Sequence, residues 1–172
     1  MFGDPLASLT YAGVAVVVVL GAQLVFLLLG RLEGYSVAGE IVQNNNAAVG
    51  VRNALFLGAV VLTFQGIART PGPALPQVAL SLLAWAAVAV LLLAASRYVN
   101  DLLILYAFDN NREVVGTGNV AVAIVEGCTY LATAAIAAGA SGYGEASLLT
   151  MLVWFAIGQA LLVLLAQVYR RI

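Results

Sequence analysis

Lysine and histidine are both missing from the 172 residues, and cysteine occurs once, at Cys128. Without histidine the chain has no imidazole for proton transfer or metal binding. A lone cysteine forbids an intrachain disulfide, and no Cys/His set exists for zinc or an iron–sulfur cluster. Cys128 also has no imidazole to activate it, so it reads as a structural residue. Charged residues make up 9% of the chain, against about 25% in ordinary soluble domains. Seven arginines set against eight acids form no basic patch of the kind nucleic acid requires. No Gly-rich phosphate loop follows a strand pattern. These absences argue against an enzyme, and no metal or cofactor is expected. The N-terminal MFGDPLASLTYAG has no basic start of a signal peptide, so the first apolar run is expected to be a retained span.

Apolar residues fill the space left by charge. They make up 63% of the chain, and the mean hydropathy is +1.04. They are gathered into five runs: Tyr11–Gly30, Ala47–Ala68, Pro76–Ser96, Asn119–Ala140 and Ser147–Val168. At about 1.5 Å per residue each run makes a helix long enough to cross the hydrocarbon. The valine stretch at 14–19 would suit a buried strand in water. In lipid a lone strand leaves its backbone unsatisfied, so a helix is expected there too. The fold class is therefore all-α, a polytopic transmembrane helix bundle in a cell (inner or plasma) membrane, with the lipid bilayer as its first partner.

RTPGPALP at 69–76 and GASGYGEAS at 139–147 have the chemistry of tight loops. The segment 98–108 is apolar but interrupted by Asp101; it either prolongs the third span or lies at the interface. Five spans put 31–46, 97–118 and the C-terminal tail on one side. That side holds Arg31, Arg97, Arg112, Arg170 and Arg171, against Arg69 on the other. The excess of arginine marks the cytoplasm, so the expected topology is N-terminus outside and C-terminus cytoplasmic.

An offset of 73 residues aligns Glu40 with Glu113, Asn46 with Asn119, Ala48 with Ala121 and Ala59 with Ala132. The chain then reads as one transmembrane domain, 1–172, with two parallel-topology two-helix repeats at about 10–68 and 76–140 and an extra helix at about 147–168. Asn46 and Asn119 stand where the second and fourth spans begin, as helix-capping residues would. Glu40 and Glu113 lie six residues upstream, so they belong to a preceding turn rather than a capping box. Both acids are expected at the cytoplasmic face.

Asn-x-Ala near the start of a span, after an acid and a short turn, occurs in both halves: EIVQNNNAAVG at 40–50 and EVVGTGNVAVAI at 113–124. In this the chain resembles the DUF350 family of prokaryotic integral membrane proteins, which includes the UPF0719 proteins. The resemblance covers roughly residues 10–140 and implies two copies of a two-helix unit. The fifth span and the long 97–118 connection depart from that pattern. The family brings no secure biochemical activity with it.

Two charges, Arg52 and Glu126, fall inside spans. Each costs about 2.5–3.5 kcal/mol against hydrocarbon on insertion scales, so both should face protein or water. They start at similar depth, which permits a direct pair. Asn46, Gly50 and Asn53 share one helical face; Asn119, Ala123, Glu126 and Tyr130 share the equivalent face. The two stripes suggest a polar seam made of Asn46, Arg52, Asn53, Asn119, Glu126 and Tyr130. Alanine and glycine are dense in the fourth span, as close helix packing or a homo-oligomer requires. The functional expectation is an oligomeric ion channel or small-solute transporter carrying an inorganic ion or small solute along that seam. The rival is a structural or accessory membrane subunit in which the same groups are polar glue.

Overall fold

A computed structural model describes residues 5–68, 75–104, 109–141 and 148–169. Six α-helices follow in order: α1 (Pro5–Leu32), α2 (Val37–Val42), α3 (Ala47–Ala68), α4 (Leu75–Val99), α5 (Val120–Ser141) and α6 (Leu148–Tyr169). Two π-helical turns, π1 (Asn100–Ile104) and π2 (Arg112–Gly116), lie between α4 and α5. Among the described residues, α1 and α3 to α6 are long and apolar enough to span a membrane, and α2 is not. The protein is an all-α, multi-span membrane bundle.

Helix directions follow from paired residues. Glu33, just past α1, meets Arg97 near the end of α4, so α1 and α4 finish at the same end of the bundle. Tyr35 meets Arg52 near the start of α3; α3 therefore begins where α1 ends. Leu55 lies against Gly127, and Gly66 lies against Ala138, which makes α3 and α5 parallel neighbours. Gln159 of α6 donates to Thr133 of α5 at 2.7 Å, and Gln167 reaches the Leu103 carbonyl at 3.0 Å. So α6 ends beside π1. One end of the bundle thus gathers the ends of α1, α4 and α6 and the starts of α3 and α5, with the polar turns between them.

Burial separates inner helices from outer ones. In α3, α4 and α5, 39% of the span is buried, against 22% in α1 and 17% in α6. The exposed faces of α1 and α6 carry Leu20, Leu24, Leu28, Leu161, Leu164 and Leu165, side chains that suit acyl chains as solvent. Trp85 packs against the core. Trp154, expected from its mid-span position to be a packing residue, instead leaves half its surface on the outer face. The inner layer is knit by Phe26, Phe56 and Tyr130, with ring centroids 5.2 Å apart for the first pair and 5.6 Å for the second.

The third span is longer than its apolar run. α4 continues through Val99 and passes directly into π1, so residues 98–104 prolong the helix and do not form a separate interfacial one; 105–108 lie outside the described residues. This moves Arg97, expected in a cytoplasmic loop, into the bundle, where it is 2% exposed. Ser96, Arg97 and Asn100 are all buried on one helical face. A chain ending its span at Ser96 would leave that face nothing to pack against.

Candidate functional site

The two Asn turns have the same internal bonding. Asn46 donates from Nδ2 to Glu40 Oε2 at 3.2 Å, and Asn119 donates from Nδ2 to Glu113 Oε2 at 3.1 Å. In each turn the Asn backbone N–H also reaches the carbonyl of that glutamate, at 2.9 Å. The side-chain oxygens cap the helices: Asn46 Oδ1 accepts from Ala48 and Val49, and Asn119 Oδ1 accepts from Val122. The residue before each Asn is left-handed, Asn45 at φ 49° and Gly118 at φ 68°. Asn and Gly are the residues that tolerate this conformation. Six residues is therefore the span of a closed loop: the acid holds the Asn, and the Asn starts the helix.

Asn46 does one thing more. Its Nδ2 also reaches the carbonyls of Val114 and Val115 at 3.1 Å each, tying the first turn to π2. Asn46→Ala should cost more than Asn119→Ala. A lost cap alone is worth about 0.5–2 kcal/mol, and only Asn46 also strands two carbonyls of the neighbouring turn. Denaturant titration of both variants in detergent checks the order, and equal losses would contradict it.

The charge cluster lies one to two turns below these caps. At about 1.5 Å per residue, Arg52 and Glu126 sit some 8–9 Å beyond the starts of α3 and α5. Both are fully buried. Arg52 Nη1 meets Glu126 Oε2 at 3.4 Å, and Arg97 Nε lies 3.6 Å from Glu126 Oε1. Tyr130, one turn further along α5, donates its hydroxyl to the same Oε1. Glu126 is thus shared by two cations and a phenol. Asn111, just before π2, accepts from Arg52 Nη1 at 3.0 Å and Arg97 Nη2 at 3.1 Å, which brings the two guanidiniums side by side. Phe26 lies beneath both, 5.9 Å from each guanidinium carbon.

The rim is supplied by the turn between α1 and α2. Glu33 accepts from Arg97 Nη2, and Tyr35 accepts from Arg52 Nη2 through its hydroxyl. Glu33 keeps 16% of its side chain exposed and is the cluster's contact with the aqueous end. Asn100 donates to Thr129, whose own hydroxyl donates back to the Glu126 carbonyl at 2.6 Å. Some polar atoms remain without a hydrogen-bond partner: Arg52 Nε, Arg97 Nε and Nη1, Asn53 Oδ1 and Asn100 Oδ1.

Of the residues singled out by sequence, Arg52, Glu126 and Tyr130 come together in this cluster. Asn46, Asn119, Glu40 and Glu113 form the two turns above it. Asn53 is only partly buried and makes no contact with the cluster in any bond described above. Cys128 is exposed on α5. Among the described residues no group of three His, Cys, Asp or Glu stands close enough to hold a metal. Sequence reasoning missed Arg97, Glu33, Tyr35 and Asn111. The helical spacing of Ser96, Arg97, Asn100 and Asp101 was a usable signal for the first, since it marks one polar face continuing α4. The others come from turns, where no periodicity announces them.

The chain can now be set against known families. The model of the DUF350 family, a domain of unknown function, matches residues 1–141 and again 75–172. The chain belongs to the DUF350 family. No curated protein and no solved structure matches it. Within a DUF350 chain the Glu40–Asn46 and Glu113–Asn119 turns now have a physical role, as the devices that start α3 and α5 at one depth.

Proposed function

We propose that this DUF350 protein is a membrane transport protein, an ion channel or small-solute carrier, whose working site is the Arg52–Glu126–Arg97 cluster. The observation that carries the reading is Glu126: a fully buried carboxylate shared by two arginines in a chain with few charges to spend. Intramembrane ionisable groups that converge in this way mark ion and substrate paths. The cluster meets the aqueous end through the partly exposed Glu33, Tyr35 and Asn111, with Arg52, Arg97 and Glu126 buried behind them, so the structure is read as a closed state. The arginine excess in the segments that join the spans on that side, Arg31 and Arg112 among them, supports a cytoplasmic position for that end and an N-terminus outside. The overlapping second family match and the two identically bonded turns support two parallel two-helix repeats followed by α6. Homo-oligomerisation through the small-residue faces completes the reading.

The test is flux from proteoliposomes holding the purified full chain. Transport above empty vesicles should fall at least tenfold in Glu126→Gln if the cluster is on the path. One observation favours a second reading, a structural or accessory subunit: both Glu126 oxygens are already occupied. That reading expects no flux from any variant and loss of assembly in Glu126→Gln.

A further inference from the structure

We propose that the cluster is a site for a small monoanion, a carboxylate or an oxyanion, and that Glu33 is a tethered anion occupying it. This rests on the transport reading and names the substrate class. The fully buried charges are Arg52, Arg97 and Glu126, two positive and one negative. Among the described residues Glu33 is the further acid bonded to either arginine, and it belongs to a turn and not to a helix. Remove Glu33 and the buried set is one charge positive, the complement of one monoanion.

The donors are already arranged. Arg52 Nη1 and Arg97 Nη2 converge on a single oxygen, Asn111 Oδ1. Arg52 Nε and Arg97 Nη1 are buried with no hydrogen-bond partner, while Arg97 Nε faces Glu126 Oε1 at 3.6 Å. Guanidinium forks match the geometry of carboxylates and oxyanions, as the Glu33 carboxylate on Arg97 already demonstrates. Aromatic faces of Phe26 and Tyr35 lie 5.9 and 5.4 Å from the Arg52 guanidinium carbon, so the donors work away from bulk water. Asp101, the nearest other acid on α4 and π1, is engaged by Asn110 and is not bonded to either arginine.

The turn can leave. Glu33 and Tyr35 flank Gly34, which is left-handed at φ 86° with nothing within 4 Å of where a Cβ would be. One movement of this turn withdraws the Glu33 carboxylate from Arg97 and the Tyr35 hydroxyl from Arg52 together. An anion entering from the aqueous end would take the place of the carboxylate.

The experiment uses nitrate as probe, with potassium as the comparison ion, on the full-length protein. Nitrate efflux from proteoliposomes should rise about tenfold in Glu33→Gln and fall to the empty-vesicle level in Glu33→Gln/Arg97→Gln. Nitrate should also raise the melting temperature of Glu33→Gln in detergent in a saturable way, and leave that of Glu33→Gln/Arg97→Gln unchanged. Tyr35→Phe loosens the same turn without removing a charge and should shift nitrate efflux in the same direction. Potassium flux with no saturable nitrate effect would overturn the anion site and leave the transport reading standing. Saturable, Arg97-dependent nitrate binding without flux would keep the anion site and overturn the transport reading. Neither binding nor flux from folded protein would overturn both.

Discussion

Truncating Glu126 to alanine is expected to destabilise the bundle by about 3–5 kcal/mol, the usual result of removing one partner from a buried ion pair. The reason is what remains. Arg52 and Arg97 are almost fully buried and would face each other with only Glu33 at the rim. The Tyr130 hydroxyl would lose its acceptor as well. Replacing the whole triad should behave in the opposite way. Arg52→Met, Arg97→Met and Glu126→Leu together remove the charges and their desolvation penalty, and such exchanges are often neutral or stabilising by about 1–4 kcal/mol. Unfolding midpoints in a denaturing-detergent titration separate these outcomes. A Glu126→Ala midpoint within about 0.5 kcal/mol of wild type, the range of an uninvolved surface change, would show that Glu126 is not the counter-charge. A stable apolar triple variant devoid of flux would show that the cluster is kept for activity and not for folding.

Gly66→Ala is the second large effect. A Cβ added there would lie 2.5 Å from Ala138 Cα and 2.8 Å from its carbonyl oxygen. Both are backbone atoms of α5, so no rotamer change relieves the clash and the two helices must separate. Overpacking of this kind costs about 1–3 kcal/mol. Gly127→Ala belongs to the same class: its added Cβ would lie 2.6 Å from Leu55 Cβ, an atom that no rotamer change moves. Gly50→Ala supplies the control: nothing lies within 4 Å, and exchanging this first-turn helical glycine should be neutral or a gain of up to about 0.5–1 kcal/mol. Thermal unfolding of the three variants should therefore place Gly66→Ala and Gly127→Ala below Gly50→Ala. A Gly66 variant as stable as the Gly50 variant would mean that α3 and α5 are not in contact at that point.

The five spans were legible because lipid leaves the backbone one open solution, and apolar run length then marks each helix. The starts of α3 and α5 were legible for a local reason: Asn46 and Asn119 cap their own helices. Depth arithmetic also put Arg52 and Glu126 within reach of each other. Arg97 was misplaced because a charge after an apolar run resembles a loop residue, when a buried acid on another helix is what holds it inside. That acid, Glu126, is 29 residues further along the chain, and Glu33, its other partner, lies 64 residues before it. No local pattern encodes such pairs. Asn111 and Tyr35 were invisible for the same cause, since their roles exist only once the turns have met.

Chain order gives the shared carboxylate a consequence during synthesis. The ribosome makes Tyr35 and Phe26 before Arg52, and Arg52 and Arg97 before Glu126. Arg52 must therefore enter the bilayer before its counter-ion exists, against an insertion penalty of about 2.5–3.5 kcal/mol. What it meets on arrival is the phenol of Tyr35 and the faces of two aromatic rings, a shelter already made. Arg97 enters later and finds Glu33 waiting. The acid comes last in the chain, and the helix that carries it is also the one whose Gly127 and Ala138 fit against α3.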